Sequence, residues 1–232
     1  GMLCPVAELQ CADEHVFELG LRSLQLWPQI AARLDTPVEV RRDGSLLFAH
    51  RGDEGAAARM IEFLTRKAPR GLEPQPLDMQ KARELEPAVQ GPAQAWLLPG
   101  EASLHTVHAM QALASTATRA GARWNWGQTV ERVDSGALWA GSQRHVFDWV
   151  FDARGTGARH DLPVRGVRGE VFTLHAPGVA LRRPLRLLHP RHAVYLVPRA
   201  GEQVVVGASS IEAQDRSPVS LRTTVELLAA AY

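Results

Sequence analysis

The sequence predicts a mixed α+β fold, in which a large antiparallel sheet carries helices on one face. In the first half of the chain, apolar residues recur at helical spacing in several segments. In the second half, short apolar runs bounded by glycine and proline predict strands. The 232 residues are 45% hydrophobic, which suffices for a buried core in one large domain or two small ones. We therefore expect a folded globular protein.

Helices and one hairpin are predicted for the first half of the chain. Apolar spacing predicts a helix over 13–34, with Asp13 as its N-cap. The Asp-Gly pair at 43–44 suits a tight turn, so we expect strands 38–40 and 46–48 to form a hairpin. Further helices are predicted over 54–67, over 78–86 and over 105–120, the last with Ser103 as N-cap and Gly121 at its end.

Strands and one terminal helix are predicted for the second half. A strand over 149–152 leads directly into the small residues of 153–158, a turn that lets a backbone approach a ligand closely. Further strands are predicted over 167–174, 194–197 and 203–206. The last helix begins with Ser217 as N-cap and reaches Tyr232 without a terminating residue, so we expect the natural fold to continue beyond it.

Charge and cysteine content argue against several classes of protein. The chain has 26 basic and 25 acidic side chains and no dense basic stretch, so we expect no nucleic-acid partner. The sequence shows neither a leader nor an apolar run near the roughly 20 residues of a membrane span, so we expect a cytoplasmic protein without a membrane partner. Cys4 and Cys11 lack a CxxC pattern. His189, Arg191 and His192 match no ligand spacing, and we predict no metal site.

Several segments together resemble one family of flavoproteins. They are Gly-Met-Leu-Cys-Pro at 1–5, Val-Phe-Asp-Ala-Arg-Gly-Thr-Gly-Ala at 150–158, Arg-Gly-Val-Arg-Gly-Glu at 165–170, Tyr-Leu-Val-Pro-Arg at 195–199 and Val-Gly-Ala-Ser at 206–209. Their order is similar to that of the glycine oxidases of thiamine biosynthesis, within the D-amino-acid oxidase family. The resemblance implies an incomplete FAD-binding (Rossmann-like) domain beside the substrate domain. It assigns residues 1–35 and 91–165 to the first, and 36–90 and 166–232 to the second.

Two segments of the family pattern are absent from this sequence. One is the GxGxxG loop, which holds the FAD pyrophosphate at a helix N-terminus. The other is a Gly-x-Arg-Pro segment, whose arginine in the family grips the substrate carboxylate. We therefore expect the chain to be part of a longer protein that has FAD as its cofactor.

The resemblance implies the oxidative deamination of glycine or a similar small amino acid, with imine and hydrogen peroxide as products. The flavin supplies this chemistry, so no catalytic side chain is predicted. Tyr195 falls where the family has a hydroxyl near the substrate carboxylate, and Ser210 falls at the pocket wall. The alternative for Tyr195 is a strand aromatic that only packs its ring.

The residues that the resemblance places at the cofactor fall into three groups. They are Gly1, Met2 and Leu3 beside the flavin ring, Val130 in the adenine pocket, and Asp152, Ala153, Arg154 and Gly155 near the phosphates or adenine. Backbone groups would make these last contacts, since glycine allows close approach. An ordinary strand-to-loop turn is the alternative for that segment.

Two other functions stay open. The chain is in one case a non-catalytic, degenerate or truncated homologue that serves as a structural partner. In the other it is a relative of the sarcosine- or proline-type dehydrogenases, which share the architecture. Apolar surface left uncovered by the missing nucleotide-binding unit would favour association, so a homo-oligomer is a further expectation.

Overall fold

The structure is a computed structural model that describes residues 1–188 and 193–232. His189, Arg191 and His192, for which no metal site is predicted, lie outside the described residues. The chain divides into two compact units. Unit 1 comprises Gly1–Thr116, Gly169–Ser209 and Pro218–Tyr232, and unit 2 comprises Ala117–Arg168 and Ser210–Ser217. These boundaries differ from the predicted FAD-binding and substrate-binding parts, whose functional assignment stays a prediction.

The described residues form five α-helices and thirteen β-strands. The helices are α1 (Glu14–Ala31), α2 (Glu54–Lys67), α3 (Met79–Leu85), α4 (Thr106–Arg119) and α5 (Leu221–Ala231). The strands are β1 (Met2–Leu3), β2 (Val40–Arg41), β3 (Ser45–Ala49), β4 (Gln75–Leu77), β5 (Gln94–Leu98), β6 (Ala102–Leu104), β7 (Val130–Asp134), β8 (Ala137–Ala140), β9 (Gln143–Val146), β10 (Val171–His175), β11 (Leu185–Leu188), β12 (Ala193–Arg199) and β13 (Gln203–Gly207). No described helix combines the length and the apolar character that a membrane crossing needs.

Short polar side chains cap the start of three helices, and each satisfies a backbone N–H that has no partner inside the helix. The caps are Asp13 for α1, Asp78 for α3 and Ser220 for α5. The prediction that Ser217 caps the last helix is therefore wrong by three residues. Ser103 is also not a cap, because it lies in β6 and α4 begins at Thr106.

A seven-stranded sheet forms the centre of unit 1, with the order β10-β13-β12-β11-β3-β5-β4. All neighbouring strands are antiparallel except β11 and β3, which are parallel. The predicted large antiparallel sheet is thus right for most of its pairs, and the one parallel pair makes the sheet mixed.

Helices cover both faces of this sheet, so the prediction of helices on one face is wrong. All five residues of β3 are buried. Leu46 and Phe48 share a core cluster with residues of α3 and α5. Leu47 and Ala49 share another with residues of α2. Because successive residues of a strand point to opposite faces, a strand that is buried throughout needs a cover on each side.

The predicted hairpin at 38–48 does not form. β2 pairs with β6 in a separate sheet of order β1-β6-β2, whereas β3 pairs with β5 and β11. Gly44 does have a positive φ of 76°, as the turn prediction requires. The strands nevertheless part, because strands distant in sequence occupy both hydrogen-bonding edges of β3.

Unit 2 contains a second three-stranded sheet, of order β7-β8-β9, and a short 3₁₀ helix over Gly155–Ala158. The predicted strand over 149–152 is wrong. This segment pairs with no strand among the residues that the structure describes, and the side chains of Trp149 and Phe151 are exposed. A strand needs a neighbour for its backbone hydrogen bonds, and local apolar sequence alone does not supply one.

Candidate functional site

Tyr195, the predicted substrate-binding residue, lies on one face of the seven-stranded sheet. In the strand register Tyr195 stands opposite Gly207 of β13 and opposite Arg186 of β11. Residues opposite each other on neighbouring strands point to the same face. Arg199, four residues further along β12, points to that face as well. We call this side of the sheet the Tyr195 face.

The ring of Tyr195 lies directly on the backbone of Gly207. A Cβ atom at position 207 would be 2.2 Å from the Cζ atom of Tyr195 and 2.4 Å from its hydroxyl oxygen. The φ angle of Gly207 lies outside the left-handed region, so the backbone conformation itself does not require glycine. Glycine is needed here for space, and it fixes where the ring can lie.

The hydroxyl of Tyr195 forms no hydrogen bond with any residue that the structure describes. The side chain is half-buried. Burial raises the pKa of the hydroxyl, and the nearby Arg186 guanidinium opposes this shift. The hydroxyl therefore stays protonated at neutral pH. A protonated hydroxyl on a fixed ring is available to donate to a bound ligand.

The three residues predicted to lie beside the flavin ring, Gly1, Met2 and Leu3, are the first residues of unit 1. Met2 and Leu3 form β1, the outer strand of its sheet, and pair with Ser103 and Ala102. The Leu104 N–H donates to the Gly1 carbonyl at 3.0 Å and extends this ladder by one residue. All three predicted residues are partly buried. One edge of β1 has no strand beside it among the described residues, so its backbone groups can face a ligand.

Ala7 and Glu8 connect the N-terminal segment to the Tyr195 face. Nη1 of Arg186 donates to the Ala7 carbonyl oxygen at 2.8 Å, and Nη2 of Arg186 contacts the Glu8 carboxylate. Because Arg186 stands opposite Tyr195, the chain that follows Gly1, Met2 and Leu3 reaches the Tyr195 face at Ala7 and Glu8. A common site for Tyr195 and the three N-terminal residues stays a prediction.

Sequence reasoning gave Glu8 and Arg186 no role, although residues 7–8 and 183–191 are also similar to segments of the flavoprotein family. Arg186 is 8% exposed within the strand Leu185–Leu188, whose other residues are all leucine. A single arginine in such an apolar strand is a detectable signal, since a buried cation requires an acceptor nearby. The acceptor itself, 178 residues away, could not be found from spacing.

In unit 2 the structure brings the predicted adenine and phosphate segments together. Val130 begins β7, and Nη1 of Arg154 donates to the carbonyl oxygen of the next residue, Glu131, at 3.2 Å. Arg154 also donates to the carboxylates of Asp152 and Asp161, each at 2.7 Å. These hydrogen bonds lower the pKa of Asp152. All of these hydrogen-bond partners of the Arg154 guanidinium belong to unit 2.

Backbone atoms remain the groups through which residues 152–155 would contact a cofactor. Gly155 has a φ of +58°, and a Cβ at this position would meet no atom within 4 Å. Ala153 is exposed. Open space beside an exposed backbone allows the close approach that the sequence predicts. Ser210 is also exposed and belongs to unit 2, whereas Tyr195 belongs to unit 1, so its place in a substrate pocket stays a prediction.

In unit 1, the unpaired edge of β1 would offer backbone groups to the ring of a FAD molecule. In unit 2, the open backbone near Gly155 would offer a surface to an adenine group. The sequence contains no GxGxxG loop for the pyrophosphate. Within 1–188 and 193–232, no group of three or more His, Cys, Asp or Glu side chains is arranged to hold a metal ion.

A family model described as FAD dependent oxidoreductase (DAO) matches residues 1–232. The chain belongs to this family.

Individual relatives agree with this assignment. The chain is 36% identical over 235 residues to a Rhizobium etli protein named as a thiamine biosynthesis oxidoreductase, ThiO, and it spans 64% of that protein. The glycine oxidase of Geobacillus kaustophilus superposes with a TM-score of 0.79 at 25% identity over all of this chain and 65% of its own. The glycine oxidase of Bacillus cereus has the same fold, with a TM-score of 0.77 at 19% identity over 95% of this chain and 65% of its own.

Proposed function

We propose that this chain is the substrate-binding part, with some flavin contacts, of a FAD-dependent oxidase of glycine or a similar small amino acid. The similarity to a protein named for thiamine biosynthesis and to a glycine oxidase supports this substrate class and pathway. Since the chain spans under two thirds of these relatives' lengths, the activity is proposed for the complete gene product.

The Tyr195 hydroxyl is the observation that carries the proposal. Its ring is fixed against Gly207, and its hydroxyl has no hydrogen-bond partner among the described residues. A substrate carboxylate is a suitable acceptor, because a hydrogen bond to a charged group is roughly twice as strong as a neutral one. Tyr195 would bind the carboxylate and orient the α-carbon of the substrate.

The reaction is a two-electron oxidation of the amine. The α-carbon loses a hydride and the nitrogen loses a proton, which gives an imine. Water then hydrolyses the imine to an oxo acid and ammonia. FAD, when bound, supplies the hydride acceptor, and oxygen takes up the two electrons as hydrogen peroxide. The protein's task is to hold the C–H bond in position, so a shift of about 1 Å in Tyr195 would slow the reaction.

A flavin titration tests the proposal first. FAD absorbance and fluorescence are followed as the chain is added, with the complete gene product as the control. We expect binding at micromolar affinity or tighter by the complete product. A complete product that is purified without flavin and binds none would contradict the proposal and favour a non-catalytic homologue.

Substrate assays then test the specificity. Peroxide release is measured with glycine, sarcosine, D-alanine and proline under air. An artificial electron acceptor is supplied in parallel without oxygen. We expect peroxide with glycine at the highest kcat/KM. Turnover of proline with the artificial acceptor and without peroxide would instead indicate a dehydrogenase.

A further inference from the structure

The peptide groups on both sides of Ala7 are held by buried charged side chains. The Ala7 N–H donates to Oε1 of Glu101 at 2.8 Å, and the Ala7 carbonyl accepts from Nη1 of Arg186 at 2.8 Å. Ala7, Glu101 and Arg186 are 4%, 1% and 8% exposed. Water has little access to these groups, so it cannot easily replace either bond if one partner is lost.

Both charged side chains are tied to the central sheet. The Ser45 hydroxyl of β3 donates to the second oxygen of Glu101, and Arg186 itself lies in β11. β3 and β11 are neighbours in the sheet. Glu101 and Arg186 therefore connect one residue of the N-terminal segment to two adjacent buried strands. We call Glu101, Arg186 and Ala7 the Ala7 clamp.

Fold stability alone does not explain why position 101 is a buried glutamate. Its carboxyl group forms no ion pair with any described residue, and burial raises its pKa. Buried charged groups contribute less to stability than well-packed apolar groups of the same volume. The carboxyl group instead fixes the orientation of one peptide group, because it accepts a hydrogen bond from the Ala7 N–H in a loop that has little regular structure.

We propose that Glu101 and Arg186 are positioning residues that fix the N-terminal segment, and with it β1, relative to Tyr195. This inference rests on the proposed function in one respect, namely that the flavin ring lies beside β1. β1 has only two residues in register with β6, and the Leu104–Gly1 hydrogen bond adds one more, so the pairing is too short to fix the position of β1 by itself. The Ala7 clamp, five residues after Met2, sets the spacing between β1 and the Tyr195 face.

Cys4 provides a local reporter for this clamp. Its thiol is 7% exposed and lies 3.9 Å from the Ala102 carbonyl oxygen, between β1 and Ala7. Burial raises its pKa, and the adjacent Glu101 carboxyl group, which shares a hydrogen bond with the thiol, raises it further, so the thiol is unreactive in the folded state. Cys11 is the other cysteine and is exposed. In a C11S background, the rate at which a disulfide reagent labels Cys4 measures how often the segment opens.

Three variants in that background test the clamp. We expect E101A to label at least ten times faster than both the background and E101Q, because only E101A takes the acceptor from the Ala7 N–H, whereas both variants remove the charge that raises the Cys4 pKa. E101Q should label within twofold of the background, because an amide oxygen can still accept from Ala7. E86A is the matched control, since Glu86 is a buried carboxylate that does not contact the N-terminal segment.

Urea separates local opening from global unfolding. A local opening exposes little surface, so the labelling rate of E101A should rise only weakly with urea, whereas that of E86A should rise steeply. The inference is overturned if E101A labels no faster than the background. It is also overturned if its urea dependence equals that of E86A, since Glu101 would then act on overall stability alone.

The FAD titration supplies the functional readout. In the complete gene product, E101A should weaken FAD binding at least tenfold. E101Q should bind FAD with an affinity within threefold of the unmodified product. Binding of FAD with unchanged affinity by E101A would overturn the positioning role. If the unmodified product binds no FAD, the proposed function fails, whereas the Cys4 labelling still decides whether the clamp exists.

Discussion

The ring of Tyr195 occupies the space in which a side chain at position 207 would begin. The Cζ atom of the ring would lie 2.2 Å from a Cβ atom there, closer than any real contact of this kind. Position 207 must therefore be glycine if the ring of Tyr195, on the neighbouring strand, is to lie where it does. This relationship links the packing of the sheet to the position of the predicted substrate hydroxyl.

Replacement of Gly207 by alanine should displace the Tyr195 ring. Overpacking of this kind costs about 1–3 kcal/mol in the free energy of unfolding, which urea denaturation measures. The KM for glycine should rise, because the hydroxyl moves with the ring. The control is Gly169→Ala, where the added Cβ would have an ordinary 3.7 Å contact with the Ser209 carbonyl oxygen. Equal stability of both variants would contradict the predicted contact.

Replacement of Tyr195 by phenylalanine should weaken substrate binding and leave the stability of the fold nearly unchanged. The ring remains on Gly207, and the lost hydroxyl has no hydrogen bond to a described residue, so the free energy of unfolding should change by less than about 1 kcal/mol. A lost hydrogen bond to a charged carboxylate is worth about 1.5–3 kcal/mol. We therefore expect kcat/KM for glycine to fall by about tenfold or more. An unchanged kcat/KM would favour the purely structural interpretation of Tyr195.

The local elements of the fold could be predicted from the sequence, whereas strand partners could not. The predicted helix over 54–67 coincides with α2, because the apolar spacing that defines it lies within one segment. The strand at 46–48 was also found, within β3. Its partner β11, at Leu185–Leu188, is almost 140 residues away, and the hairpin was therefore predicted with the wrong neighbour. Strands that are adjacent in sequence usually pair with each other. β3, which is buried on both faces, pairs instead with strands distant in sequence.

For the candidate site, too, the sequence predicted single residues but not the contacts between distant residues. Tyr195 was predicted as a substrate residue from the resemblance to a family motif, and this role stays a prediction. Gly207 belongs to another matched segment, but the contact between the two depends on the register of β12 and β13, which no local pattern sets. Glu101 and Arg186 were given no role, because each lies far along the chain from its partner Ala7. Only the folded chain brings them to the backbone of Ala7.

Glu86 should be among the most important polar residues for stability. It is fully buried, accepts from the Arg182 N–H at 3.0 Å and forms an ion pair with Arg183 at 3.0 Å. Glu86→Ala would leave the Arg183 guanidinium without its charge partner, and breaking a buried pair in this way costs about 3–5 kcal/mol. Urea denaturation should show this loss. Glu84→Ala, on the exposed side of α3, is the control and should change stability by less than about 0.5 kcal/mol.

The pH dependence of stability should carry a contribution from Glu101. Burial raises the pKa of this carboxyl group above its ordinary value of 4.5 in the folded state, whereas the unfolded chain keeps the ordinary value. Between these two pKa values the folded state binds more protons than the unfolded state. The contribution of Glu101 to stability therefore falls as the pH rises through this window.

Glu101→Gln removes that titration and keeps the acceptor for the Ala7 N–H. The stability of Glu101→Gln relative to the unmodified chain should therefore increase as the pH rises from 4.5 through the raised pKa, and it should level off above. Urea denaturation at a series of pH values measures this difference, with Glu84→Gln, on the exposed side of α3, as the control. A difference that stays flat across the window would show that folding leaves the pKa of Glu101 unchanged, and one that decreases with pH would show that folding lowers it; either result contradicts the prediction.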